Sequence, residues 1–444
     1  MITLQDIDRD ILRLAIPMVI ANITVPLLGI VDIAVVGHMG SPRYIAVVAV
    51  GSMMFNVMYW LMGFLRMGTS GLTAQSFGRK DGEEGRILRR SLLIALLLSA
   101  FMLVMQRPLL YVLKWLFSVG NDIEGLVDTY YSICIWGAPA VLASYALTGW
   151  FVGMQNTRVP MAVSILQNVV NIFLSLLFVY AFGWGLRGVA SGTVLAQWVG
   201  GGLLLITRSS PALQQPHHSE VKGEKLTAKG PGRVFGSLFL RTLCLVAVNL
   251  FFTSMGSRQG GMMLSVNTLL MTLFTLFSYV MDGFAFAGEA LCGRYAGARD
   301  SRMLHISVRR LLLWGLSLAM LFTLLYMTGG RGFLFLLTNE VEVVAAADPY
   351  RWWAIGVPLC GFMAFVYDGV FVGLTAGRAM FVSTAVGAGA FFFIYSIFFP
   401  MWGNHALWLA LLTYLLLRGV VLQVYYKKSP IYLLVRTFFT NFAN

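Results

Sequence analysis

Stretches of about 20 consecutive apolar residues recur along this chain from residue 11 to residue 426, each long enough to cross a bilayer as a helix. Lipid offers the backbone no hydrogen-bond partners, so a chain built from such stretches must satisfy its amides internally, as a bundle of helices. Only 11% of the residues are charged and 58% are hydrophobic, whereas soluble chains carry roughly 25% charged residues. That balance excludes the soluble domains that 444 residues would otherwise suggest. Charged or Gly/Pro-rich breaks delimit spans at 11–36, 45–67, 87–106, 126–153, 159–181 and 187–207. Six more follow at 234–256, 262–290, 307–328, 349–374, 379–401 and 405–426. The fold class expected is an all-α polytopic membrane protein of 12 transmembrane helices.

The net charge of +13 does not point to nucleic acid, because the basic residues sit in short loops between spans. One loop holds Arg79, Lys80, Arg86, Arg89 and Arg90, and another holds Arg294, Arg299, Arg302, Arg309 and Arg310. Placing both loops inside puts both termini in the cytoplasm and gives a strong positive-inside bias. The N-terminal MITLQDIDRDILRLAIP carries acids and no basic leader region, so it reads as part of the first span rather than a cleaved signal. Cys134, Cys244, Cys292 and Cys360 fall inside apolar spans without CxxC spacing, as small core residues do.

The same basic loops expose a duplication. FGRKD at 77–81 matches AGARD at 296–300, and WGAP at 136–139 matches IGVP at 355–358, both at the same offset. GWFVG at 149–153 matches GVFVG at 369–373, and Arg158 matches Arg378, with the offset longer by a single position. Residues 1–207 thus form an N-lobe and 233–428 a C-lobe, each of six helices. A cytoplasmic linker at 208–232, with solvated His217 and His218, joins them, and a tail follows at 429–444. An even number of spans per repeat gives both halves the same orientation, related by a pseudo-twofold axis along the membrane normal. Two such lobes facing a central cavity is a transporter architecture.

Carboxylates inside the membrane cost about 2.5–3.5 kcal/mol each on insertion scales, so each invites a functional reading. Asp32 is the sharpest case, deep in span 1 (NITVPLLGIVDIAVVGHMG), where Pro17 and Pro26 each remove a backbone donor. In span 5 (LQNVVNIFLSLLF), Asn168, Asn171 and Ser175 share one helix face, placed to meet Asp32, and Thr193 in span 6 could add an oxygen. In the second half Asp282 and Glu289 lie on one face of span 8, and Asp368 lies deeper, in span 10. Arg66 and Arg241 are the counter-charges considered for these acids. Many aromatics and 23 methionines suit a cavity that takes varied apolar compounds, although most must simply face lipid or core. The chain has no GxxxxGK(S/T), no HExxH and no nucleophilic triad, so it is read as neither an enzyme nor an ATPase, with no catalytic residues and no resident metal.

The stretches NITVPLLGIVDIAVVGH, FLRMGTSGLTAQSFG, NVVNIFL, DGFAFAGEALCGRYAGARD and YDGVFVG, in that order, resemble the multidrug and toxic compound extrusion (MATE) family. The resemblance covers essentially the whole chain and is nearest to the DinF-like branch. It implies a V-shaped pair of six-helix lobes in the inner membrane that exports cationic or amphiphilic small molecules in exchange for H⁺ or Na⁺. No other cofactor, no nucleic acid and no obligate partner subunit are implied. Asp32 matches the family's span 1 acid, which binds the coupling cation, with Na⁺ as one candidate. Asn171 and Thr193 match its polar partners, and Asp368 matches an acid implicated in coupling. Ser175 departs from the pattern, since many members place a second acid there. Lipid-linked precursor flippases of related architecture are the alternative; they would show several cations inside the cavity, for which only Arg66 and Arg241 qualify.

Overall fold

Sixteen α-helices and no strand make up the described residues, 4–39, 41–209 and 231–428, of a computed structural model. Apart from its ends, the expected linker 208–232 lies outside the described residues, and so do His217, His218 and the tail 429–444. The first half contains α1 (Leu4–Gly37), α2 (Pro42–Met62), α3 (Phe64–Arg79), α4 (Glu84–Val104) and α5 (Gln106–Leu116). It continues with α6 (Glu124–Cys134), α7 (Ala138–Gly153), α8 (Arg158–Leu176) and α9 (Gly185–Arg208). The second half contains α10 (Pro231–Arg258), α11 (Gly261–Gly297), α12 (Ser301–Leu337) and α13 (Val341–Ala347). It ends with α14 (Arg351–Gly373), α15 (Gly377–Trp402) and α16 (Asn404–Lys427).

Eleven segments are long and apolar enough to cross a membrane. The 34-residue α1 completes the twelve expected from sequence. Three of the spans are composite: α2 and α3 join at Gly63, α6 and α7 join through a 3₁₀ turn, Ile135–Gly137, and α8 runs on through a π-helical turn, Leu177–Ala181. Helix α11 reaches 37 residues because it continues past the apolar stretch into charged sequence, whereas the 37 residues of α12 are two helices joined across a kink at Gly330, at φ +48°. The short helix α5 follows the third span, and the helical segment 331–337 after the Gly330 kink of α12 takes the equivalent place in the second half. On α5, Leu110 and Leu113 are buried while Tyr111 and Trp115 are exposed, a pattern suited to the membrane–water boundary.

The duplication is written into the backbone. Lys80 and Arg299, equivalent positions of the two repeats, both end a helix near φ +57°. The aspartate after each bonds the start of the next helix: Asp81 accepts from the Glu83 amide at 3.1 Å and Asp300 from the Met303 amide at 2.9 Å. Gln155 and Thr375, a second equivalent pair, share the left-handed conformation after α7 and α14. The repeated glycines explain the pairing just before them. A Cβ at Gly153 would lie 2.8 Å from the Ala74 amide of α3, and one at Gly373 would lie 2.7 Å from the Glu289 carbonyl of α11. Gly373→Ala should therefore wedge α14 from α11 and lower stability by about 1–3 kcal/mol. Gly389→Ala, with open space around it, should be neutral or mildly stabilising. Equal thermal midpoints for the two variants would remove the close-packing argument.

Packing divides the chain inside α1. Ile20–Lys225 form one unit, and residues up to Val19 pack with Leu226–Asn444 in the other. In that second unit the start of α1 is fastened to α12. Asp8 accepts from Arg310 Nε at 2.8 Å and Trp314 Nε1 at 3.0 Å, with a further bond from Arg310 Nη2. The Arg310 guanidinium holds the Asp8 carboxyl below its ordinary range, so the pair stays ionised at neutral pH. Close approach of α11 assists: a Cβ on Gly283 would lie 2.9 Å from the Ala15 carbonyl. Trp408, Phe391 and Leu270 centre this unit's core, and Asn267 and Asn404 exchange amide bonds of 2.9 and 2.8 Å within it. In the first unit Leu88, Leu147, Phe151 and Leu204 close α4, α7 and α9 together.

Candidate functional site

Asp32 lies in the part of α1 that belongs to the first unit, less than two turns before the helix ends at Gly37. It is only 9% exposed, and its Oδ1 is fully buried without a hydrogen-bond partner among the described residues. Its electrostatic neighbours are Tyr130 and Cys134, one turn apart on α6. The Tyr130 side chain hydrogen-bonds with Ser52 of α2 and with Cys134. Gly51 makes room for it, since a Cβ there would lie 2.5 Å from the Tyr130 ring. Asp32 thus has a phenol and a thiol as electrostatic neighbours, and no cation is bonded to it among the described residues.

The polar face of α8 meets two different neighbours. Asn168 Nδ2 donates to the Thr24 carbonyl of α1 at 3.3 Å. Asn171 Nδ2 donates to Thr193 Oγ1 of α9 at 3.1 Å, and Ser175 Oγ donates to Asn171 Oδ1 at 3.5 Å. Gly192 lets α9 approach closely there, because a Cβ on it would lie 2.9 Å from Ser175 Oγ. Asn171, Ser175 and Thr193 therefore form one cluster between α8 and α9. Asn168, through a backbone carbonyl, ties this stripe to α1. These bonds stop short of Asp32, whose electrostatic neighbours come from α6.

In the second unit Asp368 of α14 accepts at Oδ2 from two guanidiniums, Arg241 Nη2 of α10 and Arg418 Nη2 of α16, the latter at 2.5 Å. Arg418 also lies over the Tyr414 ring, 5.2 Å from its centroid. Asp282 of α11 lies within electrostatic range of Arg418. Glu289, two turns further along α11, is buried where Gly373 packs against its carbonyl. Arg241 is the counter-charge of Asp368, whereas Arg66 sits in the first unit with Tyr145 as an electrostatic neighbour.

Sequence reasoning passed over Arg418, Tyr130 and Ser52. Arg418 carried the same signal as Asp32, a lone charge in an apolar span (LLLRGVV). Its omission made the second half look less cationic than it is. Tyr130 and Ser52 had no comparable signal, since a tyrosine or serine in a membrane helix is ordinary.

Comparison with known proteins places this geometry. The MatE family model matches residues 17–177 and 237–397, one stretch in each half and both of the same length. "DNA damage-inducible protein F" of Escherichia coli (strain K12) is 35% identical over 432 residues, covering 95% of this chain and 92% of that protein. "Probable multidrug resistance protein NorM" of Thermotoga maritima is 25% identical over 304 residues, covering 66% of this chain and 64% of that one. Among solved structures, the Vibrio cholerae MATE transporter VcmN in the bent form superposes with a TM-score of 0.80 at 16% identity, over 96% and 97% of the two chains. An outward-facing multidrug resistance MATE family transporter of the MOP superfamily gives 0.79 at 19% identity, over 94% and 95%.

Proposed function

The chain belongs to the MatE family of membrane transporters, and we propose that it is a secondary exporter that exchanges a coupling cation at Asp32 for cationic or amphiphilic small molecules. The observation that carries this reading is an ionisable group more than nine-tenths buried in α1, with one oxygen lacking any donor among the described residues. A carboxyl so placed is satisfied either by a proton or by a bound cation, and exchanging one of these with the two sides of the membrane couples transport to a gradient.

We favour H⁺ over Na⁺. Sodium asks for several oxygen ligands, and among the described residues no second carboxylate is an electrostatic neighbour of Asp32. A single carboxyl matches a single proton per cycle. The lobes would open the site alternately to either side of the inner membrane, with both termini and the basic loops cytoplasmic. The protein would act as a monomer in the bilayer, with no enzymatic step. Dye export from proteoliposomes under an imposed pH gradient, set against an imposed Na⁺ gradient of equal size, tests the choice. Export driven by ΔpH alone supports the proton, and export driven only by Na⁺ overturns it.

A further inference from the structure

The basic loops before α4 and α12 do more than orient the chain, because the structure divides their arginines into two groups. Arg79 bonds Asp81, Arg86 bonds Glu83 and Arg310 bonds Asp8, so these charges are balanced within the protein. Arg89 and Arg90 of α4 and Arg302 and Arg309 of α12 are exposed, and no hydrogen bond or ion pair joins them to the described residues. Helical spacing leads each pair into an apolar stripe. On α4, Arg86, Arg90, Leu93, Leu97, Phe101 and Val104 share one face, with Arg89 at its flank. On α12, Arg302, Arg309, Leu313, Met320, Leu324 and Met327 share one face. The apolar members of both stripes are exposed, while Leu88 and Ala95 on α4 and Leu304 and Leu311 on α12 bury the opposite faces. Glu84 lies on the far side of α4 from Arg86, and Asp300 is taken up by the Met303 amide. Neither acid balances these four arginines.

We propose that the starts of α4 and α12 are two equivalent surface sites for an anionic phospholipid. Arg90, with Arg89 beside it, takes the phosphate at the first site, and Arg302 and Arg309 take it at the second. A guanidinium fork matches two phosphate oxygens, and its long stem lies along the apolar stripe. The acyl chains cover that stripe. From Arg90 to Val104 the helix rises about 21 Å, against a hydrocarbon depth of about 15 Å for one leaflet. A zwitterionic lipid offers the same phosphate, but its ammonium cancels the charge that draws the arginines. A dissolved phosphate leaves the stripe unused. The duplication supports the pairing, because Arg90 and Arg309 are equivalent positions of the two repeats. Positive-inside orientation makes the leaflet the cytoplasmic one. The inference goes beyond the exporter reading and does not depend on Asp32.

The test uses the full-length protein, stripped of lipid in detergent and titrated with phosphatidylglycerol or phosphatidylcholine of matched chains. Native mass spectrometry counts the lipids bound. The first two phosphatidylglycerols should bind about tenfold tighter than phosphatidylcholine, the scale of two arginines acting on one head group. Arg89→Gln/Arg90→Gln should remove one of these tight lipids, Arg302→Gln/Arg309→Gln the other, and the quadruple variant both. Equal affinity of the parent for the two lipids overturns the proposal. A folded quadruple variant that keeps the preference does the same. Arg43→Gln/Arg107→Gln removes the same charge from exposed arginines elsewhere in the first unit and should leave both tight lipids in place. Losing them in that variant would trace the preference to net charge and overturn the sites. The four substituted arginines bond nothing among the described residues, so the variants should unfold at the parent temperature. Should the quadruple variant fail to fold, the two double variants decide.

Discussion

Asp32→Asn is expected to reduce gradient-driven export to background while the protein inserts normally and unfolds at the parent temperature or slightly above. The amide keeps the size of the carboxyl but cannot take up or release a proton near neutral pH, and it removes the charge that a metal cation would need. Stability should not suffer. Asp32 Oδ1 has no donor to lose, and replacing an unpaired buried charge with a neutral group removes a desolvation cost. The pairing of lost transport with retained or raised stability separates a coupling role from a structural one. A structural acid would show the reverse, with export persisting in proportion to the folded protein. Parent-rate export by Asp32→Asn under the same gradient would end the assignment.

Much of the fold was legible because its causes are local. Apolar length fixed the spans, and the repeated glycines and loop motifs fixed the duplication. The structure returns that duplication as left-handed residues at Lys80 and Arg299 and at Gln155 and Thr375. The charges follow a different logic. The repeat equivalent of Asp368 is Thr148, and that of Asp32 is Phe251 or Phe252, depending on which of the two offsets applies. The halves therefore share helices and loop charges but not these membrane carboxylates, and the repeat does not say which chemistry each half carries inside the membrane. Helical spacing correctly put Asn168, Asn171 and Ser175 on one face. It could not say which helix that face meets, because the answer depends on Gly192 admitting α9. Asp32 was recognisable from its cost in the membrane, while its neighbours Tyr130 and Cys134 were set by packing between α1 and α6.

Asp368→Ala should destabilise the second unit far more than Arg418→Met, although both remove one member of the same buried set. The hydrogen-bonded groups of the parent are two guanidiniums and one carboxylate. Removing Arg418 leaves Arg241 paired with Asp368, a neutral couple, and methionine refills the apolar volume of the lost stem. Removing Asp368 takes away the carboxylate that both guanidiniums bond in a nearly buried site. Breaking a buried pair by deleting one partner costs about 3–5 kcal/mol, and here the deleted group is the partner of both cations. Arg418→Met should cost much less, because replacing buried ionic groups by apolar ones of similar volume is often neutral. Thermal unfolding in nanodiscs reads the order. The double variant Asp368→Ala/Arg418→Met should recover much of the loss, because it removes one of the two guanidiniums that had bonded the carboxylate, and such non-additivity marks direct coupling. Were Arg418→Met as damaging as Asp368→Ala, the shared carboxylate would not be what governs this centre, and packing of α16 against α14 would take its place as the explanation.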